Sequence, residues 1–292
     1  EDVWAGVQAA YAALAADSEA RHGVRPMTLA GIGVSAMMHG YLAFDSDGEL
    51  LVPFRTWRNT STGPGATELT AAFGVNIPLR WSIAHLHQAV LDAEPHVPQI
   101  ASVTTLAGYV HRALTGQHLL GIGDASGMFP IDDATRGYDP TMLAAYDMLV
   151  GDRAPWRLAD LLPAVLPAGR AAGLLSAAGA VLLDPTGGLR PGIPFCAPEG
   201  DAGTGMVATN SVTPREGNVS VGTSIFAMVV LERPLTRVHD ELDVVTTPAG
   251  DPVAMVHCNN GASELAAWVS IFRRFADAAG APVDADTAYS AL

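Results

Sequence analysis

Short apolar runs and helical periodicity alternate along this chain, and the alternation restricts its fold more than any other feature. Residues 27–35 form an apolar run typical of a buried strand, and residues 40–45 and 50–57 predict two more strands. Residues 82–94 carry the spacing of an amphipathic helix. Strands and helices that alternate in this way indicate an α/β fold, and 292 residues are enough for two domains.

A stretch rich in proline and glycine divides the pattern. Residues 184–200 contain four prolines, which predicts a domain boundary near residue 190 and domains at 1–190 and 191–292. Before this stretch, further helices are predicted at 66–73, 106–114 and 140–149. After it, hairpins are predicted at 218–231 and 243–256, followed by a helix at 263–279. That helix is expected to bury Leu265, Trp268, Val269, Phe272 and Phe275.

Charge and composition exclude several classes of protein. The net charge of -14 repels nucleic acid and anionic lipid, so neither is expected as a partner. The sequence contains no lysine, which excludes Schiff-base, P-loop and protein-kinase lysine chemistry in this chain. Cys196 and Cys258 are too few for a disulfide scaffold, which fits a reducing compartment and a cytoplasmic location. Helical spacing begins at the first residues, so additional sequence is expected upstream.

Several stretches match a functional motif in part but lack the structural context that the motif requires. Residues 31–36 match a relaxed dinucleotide fingerprint, but loop and strand follow where that fingerprint requires a helix. His85 and His87 are two residues apart on a helix, so their side chains point to different faces and cannot share a metal ion. The other histidines have no ligand-like spacing, and no protein metal site is predicted.

Three segments carry candidate chemistry. Residues 33–40 place His39 at the carboxyl end of a strand, where open α/β folds bind ligands, although a buried structural histidine would read the same way. Residues 195–205 read as strand, glycine turn and helix start, so Asp201 is either a base or a helix cap. Residues 218–226 form a hairpin whose Gly-Thr-Ser tip could bind phosphate or could be a plain turn.

In their order along the chain, these segments resemble the FGGY family of carbohydrate kinases, most closely its xylulokinase-like branch. Residues 33–54, with Met38 and His39, resemble the family's sugar-binding region, and residues 57–60 resemble its Trp-Asn-Asp-Thr stretch. Residues 114–116 and 124–127 match its "LTG…DASG" passage. Residues 200–205 resemble "GDNAAG", and residues 220–224 resemble "SLGTS".

The resemblance implies an actin-like ATPase fold with two ribonuclease-H-like lobes, incomplete at both ends. Residues 1–190 would be the sugar-binding first lobe without its N-terminal D-x-G-T hairpin. Residues 191–292 would begin the ATP-binding second lobe and lack its C-terminal part. The chain departs from the family pattern at Ala202, where an asparagine is usual, and at Arg58 within the Trp-Asn-Asp stretch.

The activity implied is ATP-dependent phosphorylation of a hydroxyl on a ketose, such as a pentulose or hexulose, or on a related polyol. Asp201 would be the catalytic base. The residues implied in sugar binding are Met38, His39, Trp57, Asn59 and Asp124. The residues implied in binding the ATP phosphates are Gly222, Thr223 and Ser224. Mg²⁺ would bind mainly through water and the ATP phosphates. The expected partners are a small-molecule sugar and a nucleotide, and the resemblance is compatible with a homodimer.

Two other classes remain open at this stage. One is a sugar-binding or regulatory protein of this family that has lost catalysis. The other is an actin-like ATPase without a sugar substrate, against which Met38 and His39 argue.

Overall fold

The computed structural model describes residues 2–222, 224–258 and 260–291. Its first half contains α1 (Asp2–His22), β1 (Ser35–Ala36), β2 (Leu42–Phe44), α2 (Gly63–Phe73), α3 (Ser82–Leu91), β3 (Ser102–Thr104), α4 (Leu106–Thr115), β4 (Leu119–Gly121) and α5 (Ile122–Ala125). The chain continues with α6 (Pro140–Val150), α7 (Leu158–Leu161), β5 (Ala164–Leu166), β6 (Ala171–Leu174), α8 (Ala177–Leu183), β7 (Pro194–Cys196), β8 (Glu199–Gly200) and α9 (Asp201–Ala208).

A four-stranded antiparallel sheet, called the C-terminal sheet below, follows α9. Its strands are β9 (Gly217–Val221), β10 (Ile225–Val230), β11 (Asp243–Thr246) and β12 (Pro252–Cys258), arranged in the order β11-β12-β10-β9. Two helices end the described chain, α10 (Ala262–Ala278) and α11 (Ala285–Ala291). No helix among the described residues is both long and apolar enough to cross a membrane.

Local sequence explains where several helices start and stop. The Oδ1 atom of Asp139 accepts hydrogen bonds from the backbone N–H groups of Thr141 and Met142, and Pro140 follows at the first helical position of α6. Thr105 caps α4 by accepting a hydrogen bond from the N–H of Gly108. Gly116 ends the same helix with a φ of 78°, a left-handed conformation that favours glycine.

Pairing between distant strands holds the first part of the chain together. β1 and β8 are parallel, with Ser35 opposite Glu199 and Ala36 opposite Gly200. β4 pairs in parallel with β5, whereas β2 pairs with β3 and β6 with β7 in the antiparallel sense. The pairing of β1 with β8 matters most for function, because it joins two segments that lie 164 residues apart in sequence.

Two apolar clusters form the core. The larger one contains fully buried Trp81, Tyr41 and Phe129 and extends to Met228 and Met255 of the C-terminal sheet. The smaller one packs α1 against α4 and α8. One core thus continues from the first part of the chain into the C-terminal sheet, which fixes the sheet against the segments that carry the candidate site.

The predicted alternation is confirmed, and so are the helices at 66–73, 82–94, 106–114 and 140–149 and both C-terminal hairpins, with small shifts at their ends. The strand predicted at 27–35 is present only in part, as an isolated bridge from Ile32 to Phe195 and as β1. The strand predicted at 50–57 is wrong. This stretch makes only isolated bridges, from Leu50 to Phe44 and from Arg55 to Tyr41. The proline-rich residues 184–200 carry β7 and β8, which pair with β6 and β1. The division at residue 190 stays a prediction.

The helix predicted at 263–279 is present as α10, but its predicted burial is wrong for four of five residues. Val269 is buried, whereas Leu265, Trp268, Phe272 and Phe275 are 48% to 75% exposed. The reason is that α10 packs against α11, and the described part of the chain leaves most of its apolar face uncovered.

Candidate active site

The parallel pairing of β1 with β8 brings two predicted functional segments to one edge. Residues that follow β1 include Met38 and His39, and Asp201 directly follows β8. The carboxyl ends of neighbouring parallel strands lie side by side, and open α/β folds place ligands there. The backbone N–H of Met38 donates a hydrogen bond to Oδ1 of Asp201 at 3.3 Å.

Asp201 is the first residue of α9. Its Oδ1 atom also accepts a hydrogen bond from the N–H of Ala202 at 2.9 Å, so two backbone donors fix the carboxylate. Burial raises the pKa of Asp201 above its ordinary value, although these hydrogen bonds act in the opposite direction. Gly200 permits this arrangement, because a Cβ atom there would lie 2.1 Å from Cγ of Met38.

His39 is held in a single orientation. Its backbone has a φ of 65°, which is uncommon for a residue other than glycine. Nδ1 donates a hydrogen bond to the carbonyl oxygen of Gly127 at 3.1 Å, and the ring stacks on Trp81 with centroids 6.4 Å apart. Burial lowers the pKa of His39 to about 3, with the charge of Arg80 adding to the effect. The ring is therefore neutral at physiological pH, and Nε2 is its acceptor atom.

A partly open cavity lies beside these residues. Met38, His39, Asp201 and Trp57 line one side of it. Its other side comes from the C-terminal sheet and the turn before β10, which contribute Ser224, Phe226, Met255 and His257.

An aromatic contact joins the two sides of the cavity. The rings of Trp57 and His257 meet edge to face with centroids 5.7 Å apart, and Phe226 stacks on His257 at 6.5 Å. Burial lowers the pKa of His257, and the charge of Arg80 lowers it further, so this ring is also neutral. The cavity therefore combines two neutral imidazoles and apolar surfaces with the carboxylate of Asp201 and the guanidinium of Arg80, a set suited to a small polar molecule.

Polar contacts fix the C-terminal sheet against the first part of the chain. Arg80, which also lines the cavity, forms an ion pair with Asp243 at the start of β11. Nearby, the side-chain amide of Asn76 donates a hydrogen bond to the carbonyl oxygen of Leu242 at 3.0 Å. These contacts hold the two sides of the cavity at a defined distance.

A short segment behind the cavity, residues 122–127, connects both sides and is called the α5 turn below. Gly127 accepts the hydrogen bond from His39. The hydroxyl of Ser126 accepts a hydrogen bond from the N–H of Thr246 in β11 at 3.0 Å. The carboxylate of Glu199 accepts hydrogen bonds from the N–H groups of Gly123 and Asp124 at 3.3 and 3.0 Å. The α5 turn thus touches His39, β8 and the C-terminal sheet.

Two buried carboxyl groups lie beneath Asp201. Burial raises the pKa of Glu199 to about 7. Asp124 is fully buried, and its Oδ2 atom accepts a hydrogen bond from the hydroxyl of Thr105 at 2.6 Å. Burial raises the pKa of Asp124 as well, and the neighbouring charges of Glu199 and Asp201 add to the shift. Asp124 has no exposed surface and does not line the cavity, so its role in sugar binding stays a prediction.

The structure brings together some of the residues predicted from sequence and separates others. Five of them line the cavity: Met38, His39, Trp57, Asp201 and Ser224. Asn59 lies in the turn after Trp57, where its Oδ1 atom accepts hydrogen bonds from the backbone N–H and hydroxyl of Ser61. Asp124 lies behind the cavity. The N–H of Gly222 donates to the carbonyl oxygen of Ser224 at 2.9 Å, and Thr223 lies outside the described residues.

Sequence reasoning missed several residues of the cavity, namely Arg80, Phe226, Met255 and His257. For Met255 and His257 a signal existed, because side chains two apart on a strand share one face. Glu199 was missed too, although it lies only two residues before Asp201. No sequence signal connects Arg80 with Asp243, since their contact depends on how the C-terminal sheet docks.

Within the described ranges, no group of three or more His, Cys, Asp or Glu residues is arranged to hold a metal ion. The donors near Asp201 suit an anion better. Ser224 lines the cavity, and the amino end of α9 lies at Asp201. These groups fit phosphate oxygens, and a magnesium ion held through those oxygens and water is compatible with this set.

This chain is similar to one protein-family model and to several solved structures. The family model for the N-terminal domain of the FGGY family of carbohydrate kinases matches residues 1–208. A comparison with curated protein sequences gave no match. Xylulose kinase from Rhodospirillum rubrum superimposes with a TM-score of 0.73 and 22% identity, over 92% of this chain and 54% of that chain.

Two other solved structures give similar values. The enzyme described as a xyloylose kinase from Brucella ovis has a TM-score of 0.71 and 21% identity, over 91% of this chain and 52% of that one. Gluconate kinase from Lactobacillus acidophilus has a TM-score of 0.69 and 17% identity, over 89% of this chain and 51% of that one. This chain spans about half the length of the solved structures it matches.

The structural likeness shows the fold, which is the actin-like ATPase fold expected from the sequence. The family model covers 208 of the 292 residues, including β1, β8 and the first helix turn that carries Asp201. The chain therefore belongs to the FGGY family of carbohydrate kinases.

Proposed function

We propose that the protein phosphorylates a hydroxyl group of a small sugar with ATP, and that Asp201 is the catalytic base. The acceptor would be a ketose, such as a pentulose or hexulose, or a related polyol. One observation carries the proposal: Asp201 and His39 line the same cavity, with Oδ1 of Asp201 fixed by the N–H of Met38 at 3.3 Å. Membership of the family supports it.

The chemistry assigned to Asp201 follows from its hydrogen bonds. The backbone N–H groups of Met38 and Ala202 both donate to Oδ1. Oδ2 is therefore the atom that would accept the proton of the attacking sugar hydroxyl. Burial raises the pKa of Asp201, which makes its carboxylate a stronger base than a fully hydrated aspartate. The proton then leaves the hydroxyl as its oxygen becomes nucleophilic.

Sugar binding would use both sides of the cavity. Nε2 of His39 accepts a hydrogen bond from one sugar hydroxyl, because Nδ1 is already committed to Gly127. The rings of Trp57 and Phe226 offer apolar faces to the carbon skeleton. Since the ring of His39 is fixed by Gly127 and Trp81, it is oriented before the sugar arrives, which reduces the entropy lost on binding.

Bound ATP would supply the phosphoryl group, together with Mg²⁺. Ser224 would donate a hydrogen bond to a phosphate oxygen next to Asp201. The positive end of the α9 dipole favours the same anion. The nucleotide and the small-molecule sugar are the partners of this reaction, and its expected location is the cytoplasm.

The test is a survey of phosphorylation by the purified protein, expressed from its complete reading frame. ADP release is measured with ATP, Mg²⁺ and each of several pentuloses, hexuloses and alditols. We expect sugar-dependent ADP release with at least one ketose or alditol. Calorimetric binding of a sugar without any turnover would instead indicate a binding or regulatory protein. ATP hydrolysis that no sugar accelerates would indicate an ATPase without a sugar substrate.

A further inference from the structure

Among the described residues, one positively charged and one negatively charged side chain line the cavity. Arg80 and Asp201 are the described lining residues that carry a full charge at neutral pH, since His39 and His257 are neutral imidazoles. Arg80 is the cation that an anionic ligand in this cavity would seek. Its availability therefore decides whether the cavity can accept a negatively charged sugar.

Arg80 is committed to Asp243. The two side chains form an ion pair in which the arginine side chain is 17% exposed and the aspartate side chain 9% exposed. The backbone of Arg80 is also fixed, because its carbonyl oxygen accepts a hydrogen bond from the N–H of Gly40 at 3.3 Å. Burial lowers the pKa of Arg80 to about 10, which leaves the guanidinium charged at neutral pH.

We propose that the Arg80–Asp243 ion pair restricts the acceptor to uncharged sugars and excludes sugar acids. The inference rests on the proposed kinase function and specifies its substrate class. With Arg80 neutralised by Asp243, the charge left at the cavity is that of Asp201. A sugar carboxylate would enter a site with a net negative charge and would lose its hydration without gaining a free cation.

Asp243 acts here as a positioning residue. It lies on β11 of the C-terminal sheet, whereas Arg80 directly precedes Trp81 and α3. Asp243 lines the groove next to the cavity, and Trp57, Arg80 and His257 line both. Its carboxylate would act on the acceptor through Arg80, by cancelling the positive charge that would otherwise face a sugar acid.

The first test, in the unaltered protein, compares two acceptors that share a shape and differ in charge. An aldonate and its amide have the same carbon skeleton and hydroxyls, but only the aldonate is charged at neutral pH. We expect kcat/KM for the aldonamide to exceed that for the aldonate by at least about tenfold, as expected for an uncompensated like charge. Equal or better use of the aldonate would overturn the inference while leaving the kinase function intact.

Substitutions at Arg80 and Asp243 test whether the ion pair causes the preference for the aldonamide over the aldonate. Asp243→Asn frees the charge of Arg80, so the preference for the amide should shrink at least about fivefold. Arg80→Gln leaves Asp243 without its partner and should widen the preference. The matched control, Arg80→Gln combined with Asp243→Asn, removes both charges and should retain the preference of the unaltered protein. The melting temperature of each variant shows whether it folds.

The outcomes separate the two proposals. If Asp243→Asn does not fold, Arg80→Gln and the comparison in the unaltered protein still decide the matter. An unchanged preference in every folded single variant would overturn the role of the ion pair. If no sugar is phosphorylated at all, the proposed kinase function fails, and calorimetric binding of the aldonate and its amide then tests the charge inference by itself.

Discussion

The backbone N–H of Met38 donates a hydrogen bond to Oδ1 of Asp201 at 3.3 Å, across 163 residues of sequence. The contact exists because β1 and β8 pair in parallel and end at the same edge. Asp201 and the neighbouring His39 therefore occupy one rigid framework instead of two independent loops. A carboxylate fixed relative to a ligand-binding residue meets the geometric requirement for a general base.

Replacement of Asp201 by asparagine tests the base directly. Asp201→Asn keeps the size of the side chain and an Oδ1 acceptor for Met38, but removes the proton acceptor. We expect near-normal folding and sugar binding, with kcat reduced by about 10² to 10⁴. The matched control is Asp240→Asn, which changes an exposed aspartate at the neighbouring groove and should leave kcat within a few-fold. If Asp201→Asn turns over as fast as this control, Asp201 is only the first residue of a helix.

Replacement of His39 separates sugar binding from stability. His39→Ala removes the Nε2 acceptor and should weaken sugar binding by about 1 to 3 kcal/mol, with a much smaller effect on ATP binding. His39→Asn serves as a second variant with less backbone strain, because asparagine tolerates the φ of 65° better than alanine. Calorimetry on the folded fraction gives both affinities. Unchanged sugar affinity together with a much lower melting temperature would show that His39 has a structural role alone.

The sequence was sufficient for elements whose signals are local. Helical spacing located α2, α3, α4 and α6, and the glycine turn before Asp201 located the start of α9. The family resemblance predicted His39 and Asp201 as site residues, and the structure places both at the same cavity. Contacts that depend on docking were not accessible. Arg80 meets Asp243 only after the C-terminal sheet packs on the first part of the chain, and local periodicity carries no information about that step.

Burial is the other property that a local pattern cannot supply. The apolar spacing of α10 correctly predicted a helix, but whether Trp268 and Phe275 are covered depends on what packs against them. The converse holds for Asp124, an acidic residue of the α5 turn that is fully buried because it packs against Thr105 and Glu199. In both cases tertiary packing, which spacing does not encode, decided the outcome.

The close approach of Gly200 to Met38 predicts a sharp contrast between two glycines of one segment. Gly200→Ala would place a Cβ atom 2.1 Å from Cγ of Met38, so Met38 or Asp201 must move. We expect kcat to fall at least about tenfold, because small displacements at a catalytic group are costly. Gly205→Ala is the control, since the nearest atom to its Cβ is Nδ2 of Asn218 at 3.9 Å. This change should preserve kcat and stabilise α9 by about 0.5 to 1 kcal/mol, as measured by denaturant unfolding.

Glu199 should make stability depend on pH. Burial raises its pKa to about 7 from an ordinary 4.5, so between these values the folded state holds a proton that the unfolded state has lost. This contribution, at most about 3 kcal/mol, is fully present below pH 4.5 and is lost as the pH rises through 7.

The pH dependence is measured against a variant that cannot titrate. Glu199→Gln is neutral at every pH, so the free energy of unfolding of the unaltered protein relative to this variant should fall between pH 4.5 and 7.5. Urea unfolding at several pH values gives the difference. Glu49→Gln, which alters an exposed carboxyl group, should show a much smaller change. A constant difference for Glu199→Gln would mean that the pKa of Glu199 is the same in the folded and the unfolded protein, and would contradict this prediction.

The contacts of the α5 turn have a consequence for how the protein can diverge. The turn must satisfy His39, Glu199 and Thr246 at the same time, so a substitution that suits one of these partners disturbs the others. Trp57 and His257, in contrast, meet at the cavity and its neighbouring groove, and they come from a turn of the first part of the chain and from β12. If the proposed function holds, descendants of this chain can therefore acquire a different sugar preference through residues such as these two, while the geometry around Asp201 is inherited unchanged.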